Sequence, residues 1–249
     1  MKSGFRLARL GVVTWLVGGV LLCACSQGGN PANATATPLS QQNTKAAQAA
    51  QKLALYQGML RDHREDLAAP IGQEIVADFP GTPAAAEVQR NLPQIEATAK
   101  AKTESDRLAA LWNYQSAMQS GAWQYSASIT SSKPQGDAAV QLILRRHAKW
   151  GQSVYLFGGG FVCKNLCDLP MRFDGRRETW KAYLPKTGEP ALFIEDDQRF
   201  IAMLSKTKTV EMDVTGKDRG KEMLIFEVGG YDPAKFPTLP KKWRASQPR

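Results

Sequence analysis

Four short clusters hold the residues whose types and spacing could do chemistry. Cys163-Lys164-Asn165-Leu166-Cys167 sets two thiols with three residues between them. That spacing lets two strand-end cysteines face each other across a hairpin, near disulfide distance, so the expected chemistry is a structural disulfide. The closed loop is small, and its entropic gain is about 2 kcal/mol. A redox pair is not expected, because the CxxC spacing and the helix N-terminus that lower a thiol pKa are missing. A metal site is not expected either, since His63 and His147 are the only histidines and there is no second CxxC. Arg145-Arg146-His147-Ala148-Lys149-Trp150 concentrates positive charge beside an indole. It reads in two ways: an anion or glycan patch of Arg145, Arg146 and Lys149 with Trp150 as a sugar-stacking face, or a solvated turn whose Trp belongs to the core. Glu195-Asp196-Asp197 is the densest acidic cluster. A cation site or a carboxylate pair for acid–base work is conceivable there, but acids also suit the start of a helix. Gly158-Gly159-Gly160 lacks the Gly-Lys-Ser/Thr of a phosphate loop and reads as a turn with positive φ angles. No catalytic residue and no cofactor is expected.

A further thiol, Cys25, sits at the N-terminal end. Lys2, Arg6 and Arg9 precede an apolar run over residues 10–22. The run is about 13 residues long, within the range of an export signal and short of the roughly 20 needed to cross a bilayer. Leu22-Cys23-Ala24-Cys25-Ser26 follows directly. These residues resemble the lipobox of bacterial lipoproteins, with Leu22 three residues before the acceptor Cys25 and the small Ala24 next to it. The resemblance implies cleavage before Cys25, acylation of its thiol, and a mature chain of residues 25–249. Ser26 resembles the residue found in lipoproteins sorted to the outer membrane, and the Asp that retains lipoproteins at the inner membrane is absent. Loss of Lys2, Arg6 and Arg9 would lower the formal net charge from +9 to +6. For an exported protein this moderate positive charge suits anionic head groups or acidic glycans rather than nucleic acid. In an oxidising compartment the remaining Cys163 and Cys167 form an even pair.

The elements that must position these residues fall into two parts. Residues 25–44 are mostly Gln, Asn, Ala, Thr, Gly and Pro, with no charge; they read as a disordered tether, with a reach of roughly 24 Å on flexible-coil scaling. Residues 45–120 read as helical. Leu53, Tyr56, Met59 (or Leu60) and His63 share one face of the first helix, over residues 45–68. Pro70 opens the second helix, and Phe79-Pro80-Gly81-Thr82-Pro83 breaks it. Pro93 opens either one long helix or a short one. Thr103-Glu104-Ser105-Asp106 fits a capping box for a helix that carries Leu108, Leu111, Trp112, Gln115 and Met118 on one face and ends at Gly121. The breaker and the Ala84-Ala85-Ala86 that follows resemble the second helix and turn of a tetratricopeptide-type repeat.

From residue 121 the period changes to two. Trp123, Tyr125, Ala127 and Ile129 alternate with polar residues, as do Val140, Leu142 and Leu144, then Val210, Met212 and Val214, then Leu224, Phe226 and Val228. Shorter strands are expected at 154–157, 161–163, 167–173, 178–184 and 191–194, and a short helix capped by Asp196 or Asp197. Many short alternating strands argue for an antiparallel β-sandwich over residues 121–235, with residues 236–249 as a basic tail. The expected fold class is therefore α+β, a small helical domain before a β-sandwich. The strand 140–145, the Phe161…Cys163…Cys167…Arg172-Phe173-Asp174-Gly175 run and the Asp197…Arg199-Phe200-Ile201 helix before Val210-Glu211-Met212 resemble the periplasmic β-sandwich domains of the invasion-associated locus B family. The resemblance implies an exported, non-enzymatic domain and carries over no functional residue. The expected function is a membrane-anchored periplasmic lipoprotein that acts as a non-catalytic binding or assembly module, with an envelope protein or glycan as partner. One alternative is an inhibitor or immunity lipoprotein against an envelope-attacking enzyme, using an exposed loop at 158–160 or 215–220. A cell-wall hydrolase would need Glu195, Asp197 and His147 to converge.

Overall fold

The computed structural model describes residues 38–239. The leader, the Leu22-Cys25-Ser26 segment, residues 25–37 and the tail beyond residue 239 lie outside the described residues. Within them, three helices precede nine strands, so the chain is α+β with helices first and an antiparallel sheet after.

The helices are α1 (Pro38–Arg61), α2 (Glu65–Asp78) and α3 (Pro83–Ala110). Residues 38–44, read from composition as tether, are helical: Pro38 suits a first helical turn, and the Gln, Lys and Ala that follow are good helix formers. His63 is not on a helix face. It has φ 55° in the turn between α1 and α2, where its N–H donates to the Leu60 carbonyl. Pro70 and Pro93 do not open helices but lie inside α2 and α3. Each removes one backbone donor, and packing outweighs the loss. Tyr56, Ile75, Phe79 and Val88 are buried together, and Gly72 lies so close to Leu92, Tyr56 and Val88 that a methyl group there would collide with them. The expected break at 79–83 is present, and Thr82 caps α3 by accepting from the Ala85 N–H at 3.2 Å. Thr103 starts no helix: it lies within α3, and its hydroxyl donates back to the Ala99 carbonyl at 2.9 Å.

The largest departure from the sequence reading is β1 (Trp112–Gln119), a strand where a helix to Gly121 was expected. Its eight residues pair in antiparallel register with β2 (Ala122–Thr130), from Trp112↔Ile129 to Gln119↔Ala122. The helical part therefore ends at Ala110, and the sheet begins at Trp112 rather than at 121. The sheet continues through β3 (Gln141–His147), β4 (Gly151–Phe157), β5 (Leu166–Phe173), β6 (Arg176–Tyr183), β7 (Ala191–Ile194), β8 (Val210–Gly216) and β9 (Gly220–Phe226). The spatial order is β1-β2-β3-β4-β7-β6-β5-β8-β9, one continuous sheet. It is sandwich-like because the inward residues of both halves share a single core, Leu142, Leu144 and Leu156 with Met212, Leu224 and Phe226. The halves meet at a narrow seam, where β6 and β7 share only the pairs Ala182↔Ile194 and Tyr183↔Phe193. Residues 161–163 form no strand; Phe161 makes an isolated bridge to Gly216. Helix α4 (Asp197–Leu204) inserts Phe200 against Phe173 and Trp180, with ring centroids at 5.9 and 5.8 Å.

The start of the expected basic tail belongs to the core, since Phe236 is buried there. The segment leading to it is held by β1: Trp112 Nε1–H donates to the Val228 carbonyl at 3.3 Å, and the Tyr114 hydroxyl accepts from the Asp232 N–H at 2.7 Å. Burial pushes the Tyr231 phenol, which packs on Trp112, up to about 12. The same turn, Val228–Gly230, receives the end of α3. Arg107 bridges Glu104 and Glu227, and Gly230 presses on the Leu108 and Ala109 backbone. Gly230→Ala places a methyl group inside that backbone contact. Urea unfolding is expected to show a loss of about 1–3 kcal/mol, whereas Gly58→Ala in α1, where a methyl group meets only the end of the Arg61 side chain at 3.7 Å, is neutral or stabilising.

Candidate ligand-binding face

Strand alternation decides the fate of the Arg-Arg-His segment. On β3, Leu142, Leu144 and Arg146 point inward, while Ile143, Arg145 and His147 point outward. Arg146 therefore leaves the patch expected from sequence. Its Nε donates to Gln152 Oε1 at 2.8 Å, its Nη1 donates to the Phe236 carbonyl at 2.6 Å, and its guanidinium lies 4.2 Å from the Phe236 ring centre. Lys149 is also committed, donating from Nζ to the Ser120 carbonyl at 2.7 Å. Arg145 and Trp150 remain on the outer face.

His147 fixes the local geometry. Its side chain is fully buried, and Trp150 stacks on it with centroids 3.8 Å apart and planes 14° apart. Nδ1 accepts from the backbone N–H groups of Lys149 (3.1 Å) and Trp150 (3.3 Å). The proton is thereby assigned to Nε2, which donates to the Gln119 carbonyl at 3.0 Å. Both nitrogens are occupied by backbone groups, so the ring is neither a free base nor a free ligand. The β1–β2 and β3–β4 hairpin ends are tied together through it.

Around Arg145 the outer face combines rings and neutral polar groups. Its guanidinium carbon lies 5.8 Å from the Trp150 ring centre and 5.4 Å from that of Tyr155. The stack continues from Tyr155 to Phe193 at 4.8 Å and from Phe193 to Tyr183 at 5.5 Å. Ser126 and Ser153 are the cross-strand neighbours of Arg145, and Gln124 is diagonal to it. Arg145 Nε, Gln124 Oε1 and Ser153 Oγ are buried without a hydrogen-bond partner among the described residues. Leaving such an atom unpaired costs about 1–3 kcal/mol, yet three lie within one register step on one face. Burial raises the Tyr155 phenol above the ordinary tyrosine range, which Arg145 opposes and Glu189 reinforces. Tyr155, Gln124, Ser126 and Ser153 were not singled out from sequence. Alternation against Val154 and Leu156 is the signal that places Ser153 and Tyr155 outward.

The acidic cluster is built differently. Asp196 caps α4 by accepting from the Arg199 N–H at 3.1 Å. Asp197 accepts from Gln152 Nε2 at 2.8 Å, and Gln152 and Arg146 are on the inner side of the strands whose outer side carries His147. Asp197 and His147 thus lie on opposite sides of these strands, and Glu195, just past β7, donates its backbone N–H to the Lys181 carbonyl at 3.0 Å. Among the described residues, no three or more His, Cys, Asp or Glu are grouped to hold a metal ion, and no helix is long and apolar enough to cross a membrane. Cys163 and Cys167 are disulfide-bonded, with Cα atoms 5.6 Å apart. Cys167 is in β5, but Cys163 lies in the preceding connection, and Asn165 turns the chain between them at φ 59°. The glycine triplet has φ angles of 109°, 84° and 58°, and Gly159 is packed beneath Arg219 of the β8–β9 turn. The two loops considered for an inhibitor therefore touch, and the Lys217 N–H donates to the Gly160 carbonyl at 2.8 Å.

Comparison with protein-family models, curated proteins and solved structures gives no match to this chain.

Burial is the main cause that raises the Asp197 carboxyl above the usual aspartate range. The Asp196 charge adds to the rise, while the Gln152 hydrogen bond and Arg146 oppose it. A raised folded-state value means that the native state binds the proton more tightly than the unfolded chain, so this residue favours folding more as pH falls toward and below that value. Asp197→Asn removes the titration. Wild-type stability is expected to rise relative to the variant between pH 7 and pH 4 in parallel urea titrations; a difference independent of pH would contradict the assignment.

Proposed function

We propose that this chain is a bacterial envelope lipoprotein, acylated at Cys25, held at the outer membrane facing the periplasm, and acting there as a non-catalytic binding or assembly module. The anchor rests on Leu22-Cys23-Ala24-Cys25 behind a basic and apolar leader. Binding is favoured over catalysis by how the charged groups are used. His147 gives both ring nitrogens to backbone groups. Asp196 caps a helix, and Asp197 accepts from Gln152. By contrast, Arg145 is half-buried between two rings and has no carboxylate among the described residues. That unpaired cation on an outer sheet face is the observation that carries the reading: it is a recognition group without an internal role in charge balance.

The similarity to invasion-associated locus B type domains and to a tetratricopeptide-type turn supports a binding role at the level of architecture only, and fold alone does not assign a partner. The anchor is tested in a bacterial host that makes lipoproteins. Wild type is expected to incorporate labelled palmitate and to sediment with outer membranes. Cys25→Ala is expected to lose the label and to appear in the soluble periplasmic fraction or as an uncleaved precursor. Equal labelling of both forms overturns the anchor.

A further inference from the structure

We propose that the outer face of β2–β4 is a binding site for a carboxylated sugar, with Arg145 taking the carboxylate and Trp150 and Tyr155 flanking it. The proposal rests on the reading of the chain as a binding module but not on its anchor. Three independent features converge on this face. The first is ring geometry: Arg145 lies between two rings, and Trp150, backed by His147, still exposes half its surface. An indole backed by an imidazole and half exposed offers apolar ring surface on which a pyranose stacks.

The second is unpaired polarity. Gln124 Oε1, Arg145 Nε and Ser153 Oγ have no partner among the described residues, and Gln115 and Ser126 stand opposite each other on the same face. Amides and hydroxyls that offer donors and acceptors without charge match sugar hydroxyls. The third is charge. Asp137 is the only acidic residue between positions 107 and 167, and it sits in the β2–β3 connection. Glu189 is the carboxylate felt from the other side, at Tyr155. Among the described residues, Arg145 is the one cation on the outer side of β2–β4, since Arg146 points inward and Lys149 is bonded at the turn. One guanidinium fork suits one carboxylate; a doubly charged phosphate monoester calls for more than one cation. An apolar protein surface would leave the guanidinium and the two other unpaired polar atoms, Gln124 Oε1 and Ser153 Oγ, without partners.

In a bacterial envelope this chemistry has two sources, the muramic acid of the cell wall and the octulosonic acid of lipopolysaccharide. The test uses the full chain purified in detergent, with binding read by tryptophan fluorescence and calorimetry. The probes are the N-acetylglucosamine–N-acetylmuramic acid disaccharide, an octulosonic acid disaccharide, glucose 1-phosphate and neutral chitobiose. At least one carboxylated probe is expected to bind, with chitobiose weaker by about tenfold or more, and the probe preferred names the source. Arg145→Gln and Trp150→Ala are each expected to weaken it by about tenfold or more, while Arg177→Gln on β6 leaves it unchanged. Near-UV circular dichroism checks that each variant is folded. If Arg145→Gln is not, Arg145→Lys decides, because it keeps the charge without the fork and is expected to bind more weakly. The proposal is overturned if chitobiose binds equally, if a sugar phosphate is preferred, if no carboxylated probe binds at millimolar concentration, or if the Arg145 variants bind as wild type. None of these results affects the palmitate test of Cys25, so the two readings fail separately.

Discussion

The outer face depends on the three hydrogen bonds of one imidazole. His147 accepts two backbone N–H groups from its own turn and donates to the carbonyl of Gln119 on the neighbouring hairpin. A buried polar ring in a low-dielectric site is tolerated only when fully satisfied, and this one is. The result is a fixed β3–β4 turn, which sets Trp150 flat on the imidazole and brings its indole within reach of Arg145. Without that tie, the indole would be an exposed side chain on a mobile turn and Arg145 would have a ring on one side only.

A sheet that curls on itself gives adjacent residues opposite roles. Arg145 and Arg146 are chemically identical, but the pleat sends one outward and the other inward. Arg146 is spent on the carbonyl and ring of Phe236 and on Gln152, which leads to Asp197 at the start of α4. It thereby ties the C-terminal segment and a helix to β3 and β4. Arg145 has no comparable duty. At the joint between helices and sheet, Trp112 and Gly230 let the end of α3 meet the turn Val228–Gly230 at backbone distance.

Much of the sheet is legible in the sequence because inward positions must be apolar. Residues 210–214 and 140–144 alternate cleanly, and both are strands. The disulfide and the cap by Asp196 are legible because they depend on local spacing. Strand β1 is not. Trp112, Gln115 and Met118 fit a helical stripe as well as a strand, and an edge strand of Asn, Gln and Ser has little alternation to read. Pairing with β2 decides it, and that information is non-local. Pro70 and Pro93 mislead for a related reason: packing around Gly72 outweighs a missing donor. For the site, the charge cluster was visible, but its division was not. Which arginine faces outward depends on the register of β3, and a shift of one residue would exchange their roles.

The proposed recognition surface joins one guanidinium, without a carboxylate partner among the described residues, to stacked rings. The most direct measurement is a 15N–1H NMR titration that follows arginine Nε–H and tryptophan Nε1–H signals as the N-acetylglucosamine–N-acetylmuramic acid and octulosonic acid disaccharides are added in turn. The Arg145 and Trp150 signals are expected to shift together and saturate at one concentration of the preferred probe, while those of Arg172 and the buried Trp180 stay in place. Saturable shifts at other residues with Arg145 and Trp150 unmoved would contradict the assignment of this face.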